Sequence, residues 1–176
     1  MVSAAGGPLA VLTGPPGVGK TTVGSRVARE LGVDFADTDA LIEQREGRSI
    51  PDIFVEDGEA HFRAVETRVV ADALAAHPGV LALGGGAVLD ADTRALLRGR
   101  PVIFLDVALK DAVRRSGLDH GRPLLALNPR AAWLKLMEER LGFYEEVAFA
   151  RVDTTGLDPE QVAREVLAAL AGEGAR

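Results

Sequence analysis

A three-layer α/β/α fold around a parallel sheet is what this sequence predicts, on three observations. Five short β-like runs are separated by helical patterns, most of the runs are apolar throughout, and a glycine-rich loop joins the first run to the first helix. An uninterrupted apolar run marks a strand covered on both faces, and the helices between the runs supply the covering layers.

In chain order the runs fall at 9–13, 33–36, 80–83, 102–106 and 149–153. Ser49-Ile50-Pro51-Asp52 carries a helix start signal for a short helix that ends near Asp57-Gly58. A longer helix over 59–76 follows, with Phe62, Val65, Val69 and Leu74 near one face, which is therefore core. The last helix opens with Asp158 as N-cap, Pro159 at the first position and Gln161 closing a capping box. Its buried stripe is Val162, Val166, Leu167 and Leu170. The end, 172–176, reads as frayed.

The 176 residues, 47% of them hydrophobic, suffice for one core, so a single domain over 1–176 is expected. With no cysteine there is neither a disulfide nor a thiolate metal site, and a reducing cytoplasm is the natural compartment. A net charge of -6 argues against a nucleic-acid surface, which needs clustered Lys and Arg in excess. No stretch approaches membrane-spanning length, and residues 1–8 lack the basic n-region of a signal peptide.

The most specific motif is Gly14-Pro15-Pro16-Gly17-Val18-Gly19-Lys20-Thr21, which satisfies G-x-x-x-x-G-K-[ST] between a strand and a helix. There the backbone N–H groups of Gly17, Val18, Gly19, Lys20, Thr21 and Thr22 converge on phosphate oxygens at a helix N-terminus. Lys20 reaches the β- and γ-phosphates, and the Thr21 hydroxyl sits on Mg²⁺. The chemistry is that of a kinase using ATP.

Asp37-Thr38-Asp39 follows the second run, at the strand edge where open α/β sheets bind ligands. One carboxylate can stand near the metal and the other accept a hydrogen bond from the attacking hydroxyl, while helix capping is the competing role. Gly84-Gly85-Gly86 after the third run suggests close approach of a ligand, against a tight turn toward a helix near Asp90. Arg63 can reach along its helix toward a cleft, though a lone Arg is by default solvated. Segment 118–127, LDHGRPLLAL, reads as a loop and a candidate lid, from which Arg122 can descend on the transferring phosphoryl group. Arg140 falls near a helix end, where the helix dipole is the competing explanation. His61, His77 and His120 lack metal-ligand spacing and read as structural; Trp133 reads as packing, and Arg114-Arg115, which could reach a nucleotide, reads as an exposed basic pair.

Taken in order, GPPGVGKTT, DTD, FR, LGGG, GRPLL and ER followed by FY resemble the shikimate kinase family over residues 14–144. The resemblance implies a P-loop kinase fold with a five-stranded parallel sheet, a substrate-binding helical segment about 39–76 and a lid about 118–127. It implies transfer of the γ-phosphate of ATP, with Mg²⁺, to the 3-hydroxyl of shikimate. Carried over by position, Lys20 and the loop amides hold phosphate, Thr21 and Asp37 hold the metal, and Arg122 acts on ATP. Asp39 binds the substrate hydroxyls as base, and Arg63, Arg140 and the backbone of Gly84, Gly85 and Gly86 bind at the substrate carboxylate. Two departures stand out: Gly142 where the family often has proline, and Leu157 where an adenine-contacting arginine is expected.

A kinase for another small hydroxy acid such as gluconate is the nearest alternative. A GTPase-type switch lacks an Asn-Lys-x-Asp element, and its Asp-x-x-Gly occurs only at Asp153 to Gly156. A nonenzymatic binding module would not need a lid arginine. The expected partner is therefore a small acid bound by a monomer, with no nucleic acid and no membrane.

Overall fold

The computed structural model of the chain describes residues 6–116 and 128–172. Within them β1 (Ala10–Thr13), β2 (Phe35–Asp37), β3 (Val80–Ala82), β4 (Val102–Asp106) and β5 (Ala150–Asp153) form one sheet in the order β2-β3-β1-β4-β5. Every pairing is parallel. The inner strands β1 and β3 are buried throughout and β4 in all but its last residue, whereas the edge strands β2 and β5 are only partly covered. The apolar runs thus mark the inner strands, where side chains on both faces leave water.

The helices are α1 (Lys20–Leu31), α2 (Thr38–Glu46), α3 (Ile50–Ala76), α4 (Ala91–Leu97), α5 (Leu109–Ser116), α6 (Pro129–Val147) and α7 (Pro159–Leu170), with a single 3₁₀ turn at Ala87–Leu89. α1 packs on α7, while α3, α4, α6 and α5 form a contiguous second group, so the sheet lies between two helical layers. Leu12, Leu81, Ile103, Phe104 and Leu105 sit in that core with no exposure. Each such side chain contributes about 1.5–3 kcal/mol relative to leaving it in water.

Three local outcomes matter for the site. The second strand starts at Phe35 instead of residue 33, because Val33 belongs to the end of α1: its N–H donates to Ala28 O at 3.0 Å beside a left-handed Gly32. The strand therefore runs on to include Asp37, which ends β2 instead of following it. The break expected near Asp57-Gly58 is present as a kink inside α3, where Gly58 has φ 83 and ψ 173, a region open to glycine alone. Ser49 caps the first piece, with its Oγ accepting from Asp52 N–H at 3.2 Å, and the Asp158–Gln161 capping box of α7 is formed in both directions.

Candidate functional site

β1 is central, so the loop after it opens beside the ends of β3 and β4. Gly14 lies so close to β4 that a Cβ there would overlap the Leu105 carbonyl oxygen, which is why this turn must be glycine. Gly19 is the N-cap of α1 and offers no side-chain cap, leaving the first amides of the helix without a side-chain acceptor. Lys20 lies along the loop, Nζ donating to Gly14 O at 2.8 Å and to Pro15 O at 2.9 Å.

Register sets the neighbours of this loop, because Leu12 and Asp37 both lie level with Ala82 of β3. The Thr21 hydroxyl donates to Asp37 Oδ2 at 2.6 Å, and the other oxygen of Asp37 accepts the Asp39 N–H at 2.8 Å. Capping and a place beside the P-loop are therefore not alternatives; one carboxylate does both. The Asp39 carboxylate points at Gly84, where a Cβ would come within 2.6 Å of Oδ1. Thr38, fully buried, accepts the Gly84 N–H on its hydroxyl at 3.0 Å and so ties the loop after β3 to the start of α2.

Arg63 leaves the second piece of α3 part-buried instead of fully solvated: Nη1 donates to Glu66 Oε1 at 2.8 Å, and the guanidinium stands 5.2 Å from the Phe62 ring centroid. Gly86 packs directly on this guanidinium, with no room for a Cβ. Arg140 is buried, and it lies seven residues before the end of α6. That is about two turns, and dipole complementarity fades within the last turn, so the helix-end explanation fails. The Nε groups of Arg63 and Arg140 are buried and make no hydrogen bond among the described residues. Arg63 Nε has the Glu59 carboxylate 3.6 Å away, so it is the Arg140 guanidinium at this cleft that calls for an anionic partner.

Glu66, which sequence reasoning missed, explains how two cations coexist here. Burial pushes its carboxyl above the usual carboxylate range; Arg63 and Arg140 pull it back, and Asp39 pushes it further up. Its spacing of three from Arg63 on a helix was the available signal. The exposed basic pair expected at Arg114-Arg115 holds for only one of the two. Arg114 is solvated, but Arg115 reaches from α5 to Thr154, with Nη1 to Oγ1 at 3.1 Å and Nη2 to O at 3.2 Å, beside Val18 of the P-loop. Thr38 shows only as the middle of DTD.

Arg122, the lid and His120 lie outside the described residues. His77 is structural, its Nε2 at 3.1 Å from Val80 O, and Trp133 is buried in the core. His61 lies near Glu46 and Asp57, a group that chain spacing does not reveal. Arg48 occupies that cluster, pairing with Glu46 at 3.1 Å, Glu56 at 2.5 Å and Asp57. These contacts hold the turn after α2 against the kink.

Lys20, Thr21, Asp37, Asp39, Arg63 and Arg140 open on one cleft of about 860 Å³, within the range of small-molecule sites. A phosphate loop facing a carboxylate and two inward guanidiniums is the layout of a P-loop kinase for a small acidic acceptor. The chain belongs to the shikimate kinase family: the family model described as shikimate kinase matches residues 16–171. It is 58% identical to the shikimate kinase of Streptomyces avermitilis over 163 residues, covering 93% of this chain and 95% of that one. Identity to the shikimate kinase of Thermobifida fusca is 54% over 167 residues, 95% of this chain and 97% of that one. Among solved structures, shikimate kinase from Acinetobacter baumannii in complex with shikimate matches with a TM-score of 0.89 at 35% identity. That match covers 97% of this chain and 96% of the other.

Proposed function

We propose that the protein transfers the γ-phosphate of ATP to the 3-hydroxyl of shikimate, giving shikimate 3-phosphate, a step of chorismate and aromatic amino-acid biosynthesis. Beside its family membership, the observation that carries this reading is the pair of Arg63, part-buried, and Arg140, buried, both lining the cleft that holds the phosphate loop. A planar carboxylate suits guanidinium forks, and two of them set both charge and orientation.

In this reading the loop amides and Lys20 hold the phosphates of ATP, and Asp39 takes the acceptor hydroxyl. Arg63, Arg140 and the backbone at Gly84, Gly85 and Gly86 hold the carboxylate end. Thr21 and Asp37, a hydroxyl and a carboxylate 2.6 Å apart on the cleft wall, are hard oxygen donors of the kind Mg²⁺ takes. When bound, Mg²⁺ neutralises phosphate charge. Residues 118–127 are the proposed lid, with Arg122 acting on the transferring group. The chain acts as one kinase domain over 1–176, a cytoplasmic monomer that needs neither nucleic acid nor membrane. Among the described residues no helix is long and apolar enough to cross a membrane.

The test is ADP release by purified protein with ATP and Mg²⁺, run in parallel with shikimate, gluconate and no acceptor. Stimulation by shikimate alone is expected; release that is equal without acceptor, or appears only with gluconate, overturns the substrate.

Glu66 makes a second prediction. Its folded pKa is raised above the usual 4.5, so its contribution to stability is full below that value and is lost as pH rises through the folded pKa. Glu66→Gln removes this dependence, so as pH climbs above 4.5 the melting temperature of wild type falls relative to the variant. The variant also takes from Arg63 its charge-assisted bond to Glu66, worth about 1.5–3 kcal/mol, and leaves it only the Glu59 carboxylate at 3.6 Å, so KM for shikimate rises by roughly tenfold. An unchanged KM shows that Arg63 is held in place without Glu66.

A further inference from the structure

Tyr144 is the largest fully buried side chain among the described residues, and the kinase reading leaves it without a role. Its ring stacks on Phe104 of β4, centroids 5.0 Å apart at 21°, and a phenylalanine would do the same. What a phenylalanine would lack is the hydroxyl, which donates to the Gly85 carbonyl oxygen at 2.6 Å across 59 positions of chain. Burial pushes this phenol up to about 12, so it stays protonated and remains a donor at any assay pH.

The acceptor of that bond belongs to a loop wedged between both halves of the site. Gly85 packs against Pro16 of the P-loop, and Gly86 against the Arg63 guanidinium. The peptide bonds are trans, so fixing the Gly85 carbonyl toward α6 turns the Gly86 N–H of the same peptide the opposite way. Arg140 lies four residues before Tyr144, on the same face of α6. One helix face therefore delivers a buried guanidinium and, one turn later, a hydroxyl that clamps the glycine loop.

We propose that Tyr144 is a positioning residue for the acceptor: its hydroxyl fixes the Gly84–Gly86 loop so that backbone and both arginines meet the acceptor carboxylate in one geometry. The proposal rests on the shikimate kinase reading and deepens it.

The experiment is Tyr144→Phe, which keeps the ring on Phe104 and deletes the hydroxyl, with its bond to Gly85 O and its contact to the Arg140 guanidinium. A net bond of about 1 kcal/mol gives a rise in KM for shikimate of roughly fivefold to tenfold, with kcat and the KM for ATP within about twofold of wild type. Shikimate at a fixed concentration then raises the melting temperature of the variant less than that of wild type. An unmoved KM for shikimate, an equal rise in the KM for ATP, or a variant that fails to fold makes the hydroxyl purely structural and overturns the proposal. Wild-type protein that does not respond to shikimate instead overturns the substrate reading, and the positioning role falls with it.

Discussion

Asp39→Asn lowers kcat at saturating ATP and shikimate by about 10³-fold, within the range of 10²–10⁴ that a positioned general base contributes. The carboxylate stands at the start of α2, over Gly84 and within electrostatic reach of Glu66. Asparagine keeps the size and can still accept a hydrogen bond, so KM for shikimate moves far less than kcat. The substitution also removes a negative charge beside Glu66, whose carboxyl then comes down toward its ordinary range. Turnover within tenfold of wild type sinks the base assignment. Asp39 then only orients the hydroxyl, as a loose phosphoryl-transfer transition state that needs little proton abstraction allows.

How far such roles were legible depends on the range over which the physics acts. The P-loop could be read because its chemistry is local: glycine freedom, a helix start and a lysine within eight residues. The strands could be read because inner parallel strands are apolar on both faces; the start furthest out, at Val33, fell where a helix cap and a strand compete for the same N–H. Arg63 and Arg140 could be named as candidates from the sequence, but a role at the acceptor carboxylate came only from resemblance. Whether an arginine is solvated or buried depends on what packs over it, and Gly86 and Glu66 do so for Arg63. Tyr144 and Thr38 were not legible as part of the site at all. Their hydroxyls bond to glycine-loop backbone 59 and 46 positions away, and neither residue type nor periodicity signals such a partner.

The same distinction makes Lys20 the sharpest kinetic test. Its ammonium now donates to two loop carbonyls, Gly14 O and Pro15 O, so the charge is held over the phosphate loop before any phosphate arrives. Lys20→Met keeps the alkyl stem and removes the charge. A single preorganised donor to developing negative charge is worth about 10²–10³ in kcat, so a fall of roughly 10³-fold is expected. KM for ATP rises much less, because the amides at the start of α1 still bind the phosphates in the ground state while charge on the transferring group peaks in the transition state. Lys20→Arg does not rescue turnover: a planar fork cannot replace a compact ammonium that reaches both carbonyls from one point. The opposite pattern, with kcat preserved and KM for ATP raised by the full factor, would mean that Lys20 serves only to bind nucleotide. Stabilisation of the transferring phosphoryl group would then have to come from elsewhere in the site.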